Sequence, residues 1–478
     1  MDKTAKISAA IEHRRDSFIT LSNTLWEMAE TAFEEHQSAE AICQALEQEG
    51  FTVERQVAGL QTGFVGSYGS GQPVVAILGE FDALPGLSQL QGLARPEAAE
   101  PGGNGHGCGH NLLGTGSLAA AVAVKDYMES TGLQGTVRYY GCPAEESGSG
   151  KAYMVREGLF SDVDLALSWH PYTATLVQHL SSLANYAVKF KFYGKSAHAA
   201  AAPHLGRSAL DAVELMNVGV NYLREHMIPE ARVHYAVTNA GGSSANVVQA
   251  YAEVSYLIRS PKQQQVVELY NRIHDVAKGA ALMTGTVMET QFEGAAANLI
   301  PNRTLAEVMH ANLTAIGIPA YDAAEWQYAA DIRATLSPEE RDAALYGMDP
   351  LTVMKLKDKA IADVIIPLYP VEPTMPGSTD VADVSWVVPT VQCMTACWAM
   401  GTALHTWQVV AQGTMPIAHK GMLQAAKVIA GTAIEAMENP QIITAAKAEQ
   451  TERLQGQSYI SMIPALQLPP CLSWLCPQ

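Results

Sequence analysis

Apolar residues recur at helical spacing through the first fifty positions. "ISAAIEHRRDSFITLSNTLWEMAET" and "SAEAICQALEQEG" each predict an amphipathic helix, the second closed by Gly50. Short, nearly unbroken apolar runs follow and end in polar loops. "PVVAILGEFDALP", "TVRYYGCPAEE" and "DLALSWHP" predict buried strands, and "LLGTGSLAAAVAVKDYMEST" predicts a helix between the first two. Strand, loop and helix in alternation define an α/β class with a mostly parallel central sheet and helices on both faces. In such sheets the sites form where the strands end. Asp82, the Glu145–Glu146 pair and His170 all stand there.

From residue 184 the pattern changes. "NYAVKFKFYGKSAHAA" alternates apolar and polar residues as a strand does, and "GRSALDAVELMNVGVNYLREHM" is helical. Two strands then flank a glycine-rich turn, followed by the helix of "PKQQQVVELYNRIHDVAKGAALMTG" and the strand of "TVMETQFEG". The order β-α-β-β-α-β is the ferredoxin-like α+β pattern. The chain therefore reads as a catalytic domain of residues 1–183 and 300–445, an inserted lid and dimerisation domain of residues 184–299, and a proline-bearing tail of residues 446–478. A ferredoxin-like sheet leaves an edge strand, and an unpaired edge invites an identical edge. An isologous homodimer through the lid is the expected assembly.

The chain has 478 residues, 48% of them hydrophobic, enough for a large core. Its formal net charge of −18 argues against nucleic acid as a partner, because phosphate binding needs a basic surface. A small anionic substrate needs only one or two local cations. No apolar stretch predicts a membrane span, and the first residues lack the apolar core of a signal peptide, so a cytoplasmic location is expected. Seven cysteines, an odd number in an unsignalled chain, do not suggest a disulfide framework. Cys393 and Cys397 sit in the apolar run "VQCMTACWAMG" and read as buried thiols.

"GNGHGCGHN", residues 103–111, holds the most specific chemistry. Cysteine and histidine suit borderline-soft metals, and glycine allows the tight backbone that would present them. In "CPAEESGSG", one glutamate can hold a metal while its neighbour acts as a base. Cys108, His110, Glu146, His170 and His405 give sulfur, nitrogen and oxygen donors in a number that suits two ions. Two ions roughly 3.5–4 Å apart, sharing a bridging ligand, are a common hydrolytic arrangement.

In order along the chain, "EFDALPG", "NGHGCGHNLLGTG", "PAEESGSGK", "WHP", "GKSAHAA", "GRSALDAV", "NVVQA" and "GTALHTW" resemble the binuclear metal-dependent aminoacylase and carboxypeptidase family of clan MH. The match is to its amidohydrolase branch, which contains hippurate hydrolase and the plant auxin-conjugate hydrolases. It runs from about residue 20 to about residue 440. The resemblance implies two divalent ions per chain, Mn²⁺ or Zn²⁺, held by Cys108, His110, Glu146, His170 and His405. It implies Glu145 as general acid and base, with Asp82 in support behind the ligands. It implies that His198 completes the site of a partner subunit, and that Asn246 and Arg259 hold the substrate's carboxylate. At Glu80, peptidase relatives carry a metal-binding histidine, so that ligand is absent here. Asn111 stands where many relatives have Asp.

The implied activity is hydrolysis of the amide of an N-acyl amino acid, such as p-aminobenzoyl-glutamate. Another N-acyl amino acid or dipeptide keeps the chemistry and changes the substrate. A supporting role in a heteromer with a related A-type chain is the remaining alternative, disfavoured because a decayed paralogue should have lost ligands or Glu145. His106 and His204 read as loop residues. His234 reads as lining the cleft or merely packing, and His419 as a neighbour of the site. His179, His226, His274 and His310 read as structural or surface groups.

Overall fold

Val74–Glu80 is buried along its whole length, and a strand buried on both faces needs cover on both sides. A computed structural model, which describes residues 2–469, supplies that cover. The strands before residue 184 are β1 (Thr52–Arg55), β2 (Phe64–Ser70), β3 (Val74–Glu80), β4 (Gly135–Cys142), β5 (Leu165–Tyr172), β6 (Leu176–Gln178) and the two-residue β7 (Ser181–Ser182). Those of the inserted sheet are β8 (Ala184–Tyr193), β9 (Arg232–Asn239), β10 (Tyr251–Ser260) and β11 (Val287–Ala296). After it come β12 (Thr374–Met375), which pairs with β7, and β13 (Thr390–Ala396).

The main sheet has seven strands in the order β1-β2-β4-β3-β5-β13-β6. Its four central strands, β4, β3, β5 and β13, are mutually parallel, and the flanking pairs are antiparallel. Alternate residues of β3 feed two different cores. Val75 and Ile77 pack with the helices His110–Thr131 and Pro416–Glu438 on one face. Val74, Ala76 and Leu78 pack with Gly150–Arg156 and Val381–Val387 on the other. The sheet is thus mostly parallel at its centre and flanked by helices, as the pattern of apolar runs predicts.

Strands β8 to β11 form a separate antiparallel sheet in the order β11-β8-β10-β9. The helices Ala209–Leu223 and Gln263–Thr284 cover one of its faces and close a core of their own. The burial of β8 alternates along the strand, which is the period-2 signal read from its sequence. Strand β9 lies at the edge, where Tyr235 and Val237 are 39% and 46% exposed. At the C-terminal end, Tyr459 donates to Asp383 and Arg156 donates to the carbonyl of Gln467, so this part of the tail docks on the main domain. Cys471 and Cys476 lie outside the described residues. Among the described residues no helix is long and apolar enough to cross a membrane.

Candidate active site

The carboxyl ends of the central strands converge on one cavity of about 370 Å³. Cys108, Glu145, Glu146, His170, Arg259 and His405 line it. Glu80 ends β3, and Asp82 follows it. His110 is the first residue of the helix His110–Thr131, Glu145 and Glu146 follow β4, and His170 lies near the end of β5. The glycine run has a definite task. Gly109 adopts a positive φ of 77°, and a β-carbon on it would come within 2.8 Å of the Trp398 ring. A β-carbon on Gly107 would meet the Leu87 side chain at 2.6 Å and the His405 backbone at 3.3 Å. The loop presses against both, and the His405 N–H donates to the Gly107 carbonyl at 2.7 Å.

The five donors gather into two groups that share Cys108. Cys108, His110 and His170 form one; Cys108, Glu146 and His405 form the other. Within each group the ligand atoms lie within 4.8 Å of one another. Cys108 Sγ is 3.3 Å from His170 Nε2, and His405 Nε2 is 3.2 Å from Glu146 Oε2. His110 Nε2 and Glu146 Oε1 are buried and have no hydrogen-bond partner among the described residues. A buried polar atom without a partner is expensive, and such atoms turned toward soft and borderline donors fit metal ions. Asp82 orients this arrangement from behind. Its carboxylate takes the Nδ1 side of His110 at 2.8 Å and the Glu146 backbone N–H at 2.9 Å. A ring held through one nitrogen offers the other in a fixed direction.

Charge differs sharply between the adjacent glutamates. Burial, reinforced by the negative charge of Glu80 and Asp380, pushes the Glu145 carboxyl well above the usual range. Burial acts the same way on Glu146, but His405 and His110 outweigh it and hold Glu146 low. Two neighbouring carboxyls with opposed shifts are suited to different roles. Burial above all raises the Cys108 thiol, so its use as a ligand requires a cation that displaces the proton.

Four further residues, Glu80, Lys151, Asp380 and Glu35, build the site although the sequence reading gives none of them a role there. Glu80 Oε2 approaches His110 Nε2 at 3.4 Å, and Glu80 groups with His110 and Glu145 as donors within 4.8 Å of one another. The position read as a lost ligand thus still carries a carboxylate at the site. Its other oxygen meets Lys151 Nζ at 2.7 Å, and Lys151 also reaches Asp380 at 2.6 Å, all three side chains being almost fully buried. Glu35 lies beneath the turn that carries Glu145. It accepts the Ala144 N–H at 2.8 Å and the Thr62 hydroxyl at 2.9 Å, and Ala144 holds a positive φ of 57° just before Glu145.

Arg259 reaches the cavity from β10 and donates to the Pro376 carbonyl at 3.1 Å. His198 and Asn246 do not line this cavity in the same chain. The His198 ring accepts the N–H groups of Ala200 and Ala201, and the Asn246 carbonyl accepts the N–H of Ala199. Asn111 is a buried strut whose amide donates toward Ser22 and the Gly413 carbonyl. An aspartate there would face these carbonyl oxygens with no proton to give. His106 is buried too, bonded to the Leu25 carbonyl, and burial pulls its pKa down to about 4. His419 pairs with Asn23 at 2.9 Å, and His179 with Glu372 at 2.9 Å.

A parallel sheet bearing paired carboxylates and a cysteine–histidine cluster at its carboxyl edge is the framework of a metal-dependent amidohydrolase. Residues 76–408 match the peptidase family M20/M25/M40, and the chain belongs to that family. It is 47% identical over 465 residues to the B-type subunit of p-aminobenzoyl-glutamate hydrolase from Escherichia coli (strain K12), covering 96% of this chain and 97% of that one. It is 28% identical to the Xaa-Arg dipeptidase of Mus musculus, over 94% and 93% of the two chains. The fold matches a dinuclear metal binding peptidase of the M20 family from Bacillus subtilis with a TM-score of 0.56 at 18% identity, over 89% of this chain and 99% of that one.

Proposed function

We propose that the protein hydrolyses the amide bond of p-aminobenzoyl-glutamate to p-aminobenzoate and glutamate, with Mn²⁺ or Zn²⁺ as its metal. The observation that carries this reading is the membership of Cys108 in both ligand groups, with Glu145 beside them. Cys108, His110, Glu146, His170 and His405 would hold two divalent ions. Bound there, the ions acidify a water and polarise the amide carbonyl.

Glu145 takes a proton as the water attacks the carbonyl carbon. The amide becomes tetrahedral, and its oxygen gains negative charge. Glu145 then delivers the proton to the departing nitrogen, so that the carbon–nitrogen bond breaks toward a neutral amine. A carboxyl raised by its surroundings suits a group that must accept a proton and give it back. Asp82 keeps His110 and the Glu146 backbone in register during the cycle. Arg259 binds the amino acid's carboxylate, a fork-shaped match that lysine lacks. The test is the purified chain alone on p-aminobenzoyl-glutamate with Mn²⁺, Zn²⁺ or Co²⁺. Release of p-aminobenzoate is expected. No release with any metal, but release once an A-type subunit is added, would make this chain one half of a heteromeric hydrolase.

The assembly reading is a homodimer through the lid, in which His198 of one chain donates to the tetrahedral oxygen in the other. Its support is the edge position of β9 and the exposed His198, which lies away from the cavity of its own chain. Complementation tests it. His198→Ala and Glu145→Gln chains are each expected to be nearly inactive alone, and co-folded mixtures to regain one working site per mixed dimer. Heterodimers that form and stay inactive would remove His198 from this role.

A further inference from the structure

A second cavity, of about 520 Å³, lies between the lid sheet and the segment that carries Thr374 and Pro376. Its lining is cationic. Arg232, His234 and Arg259 face it, against a single carboxylate, Glu230. Arg259 also lines the metal-site cavity, so this one residue borders both cavities.

The strand register sets this arrangement. In the antiparallel pair β9 and β10, Arg232 lies directly opposite Arg259, and His234 lies opposite Leu257. Residues two apart on a strand share a face, and directly opposed residues project together, with β-carbons about 4.5–5.5 Å apart. The intervening Val233 and Ile258 belong to the core under the lid helices. Arg232, His234 and Arg259 therefore share the other face. The spacing of the two guanidinium stems is comparable with that of the two carboxylates of one glutamate.

Neither arginine has a carboxylate partner among the described residues. Arg259 is half-buried, and withdrawal from water lowers its pKa. Its one protein hydrogen bond goes to the Pro376 carbonyl. Among the described residues Arg232 bonds only the neighbouring carbonyls of Pro229 and Ala231. A guanidinium has five donors, and one drawn from water without a counter-charge is unfavourable. This chain has 48 acidic residues against 30 basic ones, so carboxylate partners are plentiful elsewhere. Two facing arginines left without them make a site for an anion from outside.

We infer that Arg232, with His234 beside it, binds the side-chain carboxylate of the amino acid whose α-carboxylate is held by Arg259, so that the site selects N-acyl dicarboxylic amino acids. The inference rests on the hydrolase reading and narrows its substrate class. It also separates this chain from a dipeptidase for Xaa-Arg, since an arginine side chain here would meet two guanidinium groups.

The test compares p-aminobenzoyl-glutamate with p-aminobenzoyl-glutamine, its isostere with an uncharged side chain, and with p-aminobenzoyl-arginine, on the metal-loaded enzyme and on Arg232→Gln. Arg232 is exposed, so its replacement opens no cavity. The wild type is expected to prefer glutamate over glutamine by about tenfold or more in kcat/KM, carried by KM, and to disfavour arginine further. In Arg232→Gln the glutamate-to-glutamine ratio falls to near one. A wild type that cleaves glutamine or arginine conjugates as well as glutamate overturns the subsite and leaves the hydrolase reading standing. So does a variant that keeps the wild-type ratio. If the wild type cleaves none of the three, the hydrolase reading fails, and equilibrium titration with the same compounds decides the subsite. Glutamate-selective binding that Arg232→Gln abolishes supports it; equal binding of all three overturns it.

Discussion

Glu145→Gln is expected to keep two metal equivalents per chain and to lose turnover by about 10²–10⁴-fold, toward the upper end. Glutamine matches glutamate in size and leaves Glu146 and the other proposed ligands untouched. Only the ability to accept the water's proton disappears. The measurement is kcat together with metal content by elemental analysis of the same sample. Glu146 is the control, because the two residues are neighbours with opposite shifts. A Glu145→Gln enzyme that stays active, beside a Glu146→Gln enzyme that is metallated and inactive, would show the roles to be exchanged.

Cys108→Ala is expected to lose at least one of the two metal equivalents and nearly all activity. Its sulfur belongs to both donor groups, so its removal subtracts a ligand from each. The small side chain also avoids new contacts in the crowded glycine loop. Full metal content and full activity in Cys108→Ala would reduce the loop to a turn and refute the shared-ligand reading. The effect should appear as lost metal before it appears as lost stability, and thermal melting with and without chelator separates the two.

Much of the architecture is legible in the sequence because its signals are local. The apolar run of Val74–Glu80 and the alternation in Ala184–Tyr193 each predict a strand from neighbouring residues alone. The glycine run and the adjacent glutamates advertise themselves in the same way. What is illegible depends on partners distant in sequence. Lys151 gives no local signal of burial, yet it is fully enclosed against Glu80 and Asp380. Glu80 looks like the position of a missing ligand, and only the fold brings its carboxylate to His110. Arg232 has no motif at all; its meaning comes from the strand register opposite Arg259. Asn111 reads as a departure from relatives until Ser22 and Gly413 surround its amide.

The hold of Glu35 on Ala144 bears on where the working unit begins. A left-handed backbone at a residue other than glycine costs about 1 kcal/mol or more and persists only when its surroundings enforce it. Here the enforcement comes from the turn between the helices Arg15–Met28 and His36–Gln48. Glu35 grips the Ala144 N–H, and the Phe33 ring fills the space above Gly148, where a β-carbon would come within 2.2 Å. Both residues precede the stretch of 76–408 that matches the family. A fragment cut at that boundary would carry every proposed ligand and the proposed base, yet leave Glu145 on an unbraced hinge. The family match and mechanical completeness have different borders in this chain, and the jaw that aims the proposed proton carrier lies outside the first of them.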